Sequence, residues 1–263
     1  MTARHDWRLL AASIGVMSSL AFGACSEKPA QPPPQGTSAY RQQVLADKPA
    51  GYWRLDEASG TVAFDQTANA NHGTIVQSGV TVKYAGATTG DGDTGMFFDG
   101  LSGQIAVRNS PSLQMRIGAA TLEAWVKPVG IQPGTIFIIG KGTAGVHTEY
   151  GLVLANGIPG YQSVVELYLS TAPPIATGVW THLAVTIALN YVGRFYINGK
   201  EGGTFPATSG HAITSSTQPV MIANEAGAAT RFLGAIDEPA IYSHALTAEE
   251  LARHATLGLQ GND

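Results

Sequence analysis

The chain has 263 residues, 44% hydrophobic and 13% charged, which supplies one sizeable core and excludes a self-repelling disordered chain. Its formal net charge is −4, with Lys and Arg scattered along the chain, which excludes the clustered positive surface that a nucleic-acid partner requires. A single cysteine, Cys25, excludes an internal disulfide, and 32 glycines with 14 prolines favour short strands and tight turns over long helices.

Residues 1–24 carry Arg4 and Arg8 ahead of an apolar stretch from Leu9 to Phe22, then the small residues Gly23 and Ala24. A positive start, a short apolar segment and small residues before a cut describe a secretory signal. The apolar stretch is too short to span a bilayer comfortably. Leu20 to Cys25 (LAFGAC) resembles the lipobox of bacterial lipoproteins. That resemblance implies that Cys25 is acylated and anchors the mature chain in a membrane. The proline-rich stretch SEKPAQPPPQGTS, from Ser26 to Ser38, reads as an extended spacer. The chain thus divides into a lipoprotein signal (1–24), a flexible linker (25–39) and one folded domain (40–259).

Within the domain the hydrophobic period is two rather than 3.6. Leu122, Ala124 and Val126 share one face of the segment Thr121 to Lys127. The stretches Val146 to Leu154, Ser163 to Leu169 and Gly193 to Ile197 also read as strands. Leu183, Val185 and Ile187 share a face, opposite His182 and Ala184. Asn198-Gly199 predicts a type I′ hairpin turn, whose two central residues need positive φ. About a dozen such strands predict an all-β, two-sheet antiparallel sandwich. One short C-terminal helix follows, with Thr247 and Glu250 as its capping box, Leu246 and Leu251 as its staple and Gly258 as its C-cap.

Several phrases resemble the LamG-like jelly-roll family, also called laminin-G-type or concanavalin A-like. They are GYWRLDE from Gly51, NHG from Asn71, FFDG from Phe97 and TLEAWVKP from Thr121. GVWTHLAVT from Gly178, FYING from Phe195, GAIDE from Gly234 and the helix start after Leu246 complete the set. The resemblance implies a concanavalin A-like jelly roll. It also implies kinship with lectins, pentraxins, adhesion proteins and accessory modules of glycosidases, and with relatives that carry a structural calcium. Pro239 removes a ladder donor, so its strand should lie at an edge or carry a bulge.

Glycosidase chemistry needs two carboxylates across a cleft, and the paired-carboxylate run of laminarinase-like members is missing. Asp56-Glu57 and Asp237-Glu238 are adjacent, which on a regular strand sends the two side chains to opposite faces. Gly140 to Gly145 matches G-x-G-x-x-G but precedes a strand-like run, so it reads as a strand connection rather than a dinucleotide site. Asp91 to Gly95 begins like an EF-hand, yet position 102 is Ser where a Glu is required. A calcium ion held by Asp65, Asn71 and Asp237 is the metal expectation; turn-capping is the alternative for the first two. His182 reads as a packed sheet histidine. Tyr150, Tyr161, Tyr168 and Tyr191 are the aromatic candidates for a sugar surface. No catalytic residue is assigned. The expected function is a non-catalytic module that binds a glycan or a protein, displayed by its lipid anchor on the cell membrane or outer membrane and facing periplasm or exterior. The alternatives are a glycoside hydrolase or polysaccharide lyase with an unrecognised site, or a structural or adhesion protein of the envelope.

Overall fold

The alternating segment at Thr121 becomes the middle of a sheet in the computed structural model, which describes residues 38–88, 92–115, 118–144, 147–164, 166–207 and 216–259. The signal, Cys25, most of the linker, Asp91, Gly145 and Val146 lie outside the described residues. Strands are numbered in chain order. Sheet 1 runs β14 (Lys200–Pro206), β13 (Val192–Ile197), β12 (Thr181–Ile187), β7 (Ala120–Pro128), β16 (Leu233–Tyr242), β5 (Thr94–Asp99) and β4 (Val80–Ala85). A short β1 (Gly51–Tyr52) also pairs with β16. Sheet 2 runs β11 (Leu167–Leu169), β10 (Ile158–Gln162), β9 (His147–Ala155), β8 (Thr135–Thr143), β15 (Val220–Ile222), β6 (Gln104–Val107), β3 (Gly73–Val76) and β2 (Val62–Ala63). The jelly-roll sandwich is as expected, with sixteen strands among the described residues rather than about a dozen.

Period-two burial builds the core between the sheets. Leu122, Ala124 and Val126 of β7 and Leu183, Val185 and Ile187 of β12 face Tyr150, Leu152 and Leu154 of β9 and Ile105 and Val107 of β6. At the β14 edge the Phe205 ring stacks on Tyr168 at 4.5 Å and on Tyr161 at 5.6 Å, clasping sheet 1 to sheet 2. Such aromatic pairs contribute about 0.5–1.5 kcal/mol each beyond their buried area. Asn198 (φ 49°) and Gly199 (φ 72°) form the expected tight hairpin.

Two helices, not one, cover the outer face of sheet 1. The helix α2 (Ala248–Leu259) has its capping box in place: Thr247 N–H donates to Glu250 at 2.7 Å, and Glu250 N–H donates to the Thr247 hydroxyl at 3.2 Å. The additional helix α1 (Ala39–Ala46) is capped by Ser38, whose hydroxyl accepts from Arg41 N–H at 3.1 Å. Its sequence, AYRQQVLA, buries only Tyr40 and Val44, too faint a periodic signal to stand out beside the linker.

Two local expectations are corrected, and a third, the bulge at Pro239, is met. Gly258 lies inside α2 rather than capping it; a Cβ there would sit 2.3 Å from the Trp125 ring, so its lack of a side chain lets the helix approach the sheet. Ser163 to Leu169 is not one strand: the Ser163 hydroxyl accepts from Glu166 N–H at 3.2 Å, and this turn ends β10 before β11 begins. Pro239 sits in a central strand, where the bulge between Asp237 and Ala240 accommodates its missing donor.

Candidate functional site

A cleft forms on the outer face of sheet 2, where three adjacent strands expose little side chain. Gly140 of β8 is paired with Gly151 of β9, and Gly160 of β10 with Val153. The Phe137 ring lies across this strip: a Cβ would meet it at 2.4 Å from Gly151 and at 2.9 Å from Gly140. Thr135 and Gln162 rise from the same face, and Thr148 comes from β9. The segment from Glu225 to Thr230, beyond β15, forms the opposite wall. Together they border an open cleft of about 750 Å³, within the range of small-ligand sites. The Thr148 hydroxyl donates to Glu225. Burial raises the Glu225 carboxyl above the ordinary carboxylate range, and that hydrogen bond opposes the rise.

A second cluster lies around the buried Arg54. Its Nε contacts Glu238 at 3.2 Å, Nη1 contacts Asp56 at 3.1 Å and Nη2 contacts Asp93 at 2.6 Å. Ala87 N–H donates to Asp237 at 2.7 Å, the Thr88 hydroxyl to Asp93 at 2.7 Å, and the Tyr52 hydroxyl to Glu238. Asp237 and Glu238 therefore do not diverge as adjacent strand residues would. The bulge, with Glu238 at φ 54°, brings both beside Asp93, with ligand atoms within 4.8 Å of one another. Burial pushes both carboxyls upward, and the neighbouring Asp93 charge adds to the effect. Calcium takes six to eight oxygens. Among the described residues these three carboxylates lie close enough to hold a cation; Oδ1 of Asp237 is buried without a hydrogen-bond partner, while Asp93 and Glu238 are engaged by Arg54, Thr88 and Tyr52.

The other two residues of the calcium expectation are placed together but apart from that cluster. Asp65 accepts from the backbone N–H groups of Tyr52 (3.1 Å), Thr67 (2.9 Å) and Asn71 (2.7 Å) and from the Thr67 hydroxyl (2.9 Å). The Asn71 amide donates to Ala50 O at 3.0 Å and to the Ser112 hydroxyl at 3.1 Å. Both side chains organise the turn leading into β3, as the turn-capping alternative describes.

A third network lies under the helices. The buried Glu123 carboxylate contacts His182 Nε2 at 3.1 Å and His254 Nδ1 at 3.0 Å, and accepts from the Tyr242 hydroxyl at 2.6 Å. His254 Nε2 reaches Asp47, at the end of α1, at 2.9 Å. This network ties both helices to β7, β12 and β16. His182 is the packed sheet histidine expected, with partners that sequence spacing does not reveal.

Of the tyrosine candidates, Tyr150 and Tyr161 are buried, Tyr168 packs on Phe205, and Tyr191 is 43% exposed in the turn before β13. None lines the cleft. The aromatic residue that does is Phe137, whose ring is 6% exposed and presents only an edge to the cleft, a position without a sequence motif to mark it. The available signal was glycine in strand interiors, which marks close approach of another group.

A family model described as the concanavalin A-like lectin/glucanases superfamily matches residues 99–252. Domain 4 of AbnA, a GH43 extracellular arabinanase from Geobacillus stearothermophilus solved with arabinotriose, is 22% identical at a TM-score of 0.59, covering 79% of this chain and 98% of that one. Trypanosoma rangeli sialidase with 2,3-difluorosialic acid is 16% identical at a TM-score of 0.58, covering 80% of this chain. This chain spans about a third of the sialidase's length (32%). The binding domain of Paraclostridial Mosquitocidal Protein 1 is 14% identical at a TM-score of 0.59, covering 80% of this chain and 52% of that one. A comparison with curated proteins finds no match.

These neighbours overturn the expectation that the chain is not an enzyme, because solved hydrolases carry this fold. The physical reason is visible in the Arg54 cluster. Folding gathers carboxylates from distant segments, so a missing local run of acidic residues does not exclude hydrolysis.

Proposed function

The chain belongs to the concanavalin A-like lectin/glucanase superfamily, and we propose that the cleft on the outer face of sheet 2 binds a glycan. The observation that carries this reading is the pairing of an apolar floor, made by the glycine strip and the edge of the Phe137 ring, with a rim of hydroxyl, amide and carboxylate groups. Sugars present apolar C–H faces and a dense set of hydroxyls, and such a cleft meets both. Further support comes from the arabinanase domain, which matches over 98% of its length and was solved with arabinotriose.

The same proposal has the chain exported and held at the cell envelope by an acylated Cys25. Its support is the LAFGAC pattern and the proline-rich spacer.

Calorimetry with a panel of oligosaccharides, arabinotriose among them, tests the reading, with product analysis in the same samples to detect cleavage. The expected result is saturable binding that Phe137→Ala weakens at least about tenfold. Binding unaffected by Phe137→Ala and Glu225→Gln refutes the assignment of the cleft. Labelling of the wild type, but not of Cys25→Ala, by a fatty-acid probe is expected for the anchor.

A further inference from the structure

We propose that the cleft selects neutral glycans and rejects those bearing carboxylates, such as sialylated or uronic-acid chains. The inference rests on the glycan reading above and narrows it to a substrate class. Among the described residues, Glu225 is the only charged side chain lining the cleft. The other polar groups are Thr135 and Thr230, whose hydroxyls can donate and accept, and Thr148 and Gln162, whose oxygens can accept from sugar hydroxyls. No Lys or Arg is among them. A sugar carboxylate held beside Glu225 needs a charge-assisted partner, and here it meets a like charge instead.

The nearest cations along the chain are not among the side chains lining the cleft. Lys141 follows Gly140 in β8 but points to the inner side, where its Nζ contacts Glu149 at 2.8 Å and Ser216 O at 2.8 Å. Arg231 follows Thr230 but directs Nη1 to the carbonyl of Leu101 at 2.7 Å. Neither side chain lines the cleft beside Glu225. The likeness to sialidases concerns the fold and supplies no anion-binding group here.

Matched sugars separate charge from shape. Binding of lactose against 3′-sialyllactose, and of galactotriose against trigalacturonate, is measured by calorimetry on the full mature chain at pH 8. The neutral member is expected to bind at least about tenfold tighter in each pair, and Glu225→Gln to narrow the gap to about threefold or less. Thr230→Lys, which adds a cation at the exposed rim, is expected to raise affinity for the anionic members; it serves also if Glu225→Gln fails to fold. Anionic members that bind as tightly as their neutral partners overturn the selectivity and leave the glycan reading standing. A wild-type preference for neutral sugars that neither variant reduces overturns the role given to charge. Failure of every sugar, arabinotriose included, overturns both.

Discussion

Replacing Glu123 by Gln removes the charge that holds both helices on sheet 1. The carboxylate is buried and contacts His182, His254 and Tyr242 at 3.1, 3.0 and 2.6 Å. Breaking a buried ion pair by changing one partner costs about 3–5 kcal/mol. At about 2–4 °C per kcal/mol for a domain of this size, the melting temperature should fall by about 10 °C. Burial disfavours the charged imidazolium of His254, but Glu123, with Asp47, more than offsets this and lifts its pKa from 6.5 to about 9. A raised folded pKa stabilises fully below the unfolded value and is lost as pH rises through the folded one. The wild type should therefore lose about 3 kcal/mol between pH 6.5 and 9. Glu123 is held below the ordinary carboxylate range, so its contribution is present above pH 4.5 and persists well into acid. Glu123→Gln should flatten the alkaline limb, and the gap from wild type should narrow above pH 9, leaving the Tyr242 and His182 contacts as the remainder. Thermal melts from pH 5 to 10 check both effects. A variant within 2 °C of wild type at pH 6 and with the same alkaline slope would refute the reasoning.

Gly258→Ala places a Cβ 2.3 Å from the Trp125 ring; overpacking there should destabilise by about 1–3 kcal/mol, read from urea midpoints, and an unchanged midpoint contradicts the close-approach role. Gly151→Ala drives a Cβ to 2.4 Å from Phe137, so the ring should shift into the cleft. Glycan affinity should then fall at least about tenfold in a protein that still melts cooperatively; full affinity contradicts the position given to Phe137. Because Arg54 already pairs with Asp56, Asp93 and Glu238, excess chelator should leave the melting temperature unchanged, and a drop of several degrees would show that a bound metal supports the fold.

Alternation at Leu122 to Val126 and Leu183 to Ile187, the Asn198-Gly199 turn and the capping box at Thr247 are all local signals, and each became the expected element. The cleft was not legible in this way. Phe137, Thr148, Gln162 and Glu225 come from three strands and a loop, and no fixed spacing along the chain relates them. The bulge at Glu238 had a partial signal in Pro239, which promised an edge or a bulge without saying that Asp237 and Glu238 would converge on Arg54. Helix α1 was hidden because its burial depends on α2 and Trp125, residues more than 75 positions away. Asp65 was legible only as a choice between metal ligation and turn-capping. Four hydrogen bonds to its carboxylate account for it as a cap.

The most direct measurement is amide chemical-shift mapping of the labelled mature chain, titrated with the tightest-binding neutral oligosaccharide of the panel. Perturbations centred on Gly140, Gly151, Gln162 and Glu225, and sparing α1 and α2, are the predicted result. Perturbations confined to the helical face, or saturable binding that leaves those four amides unmoved, would contradict it.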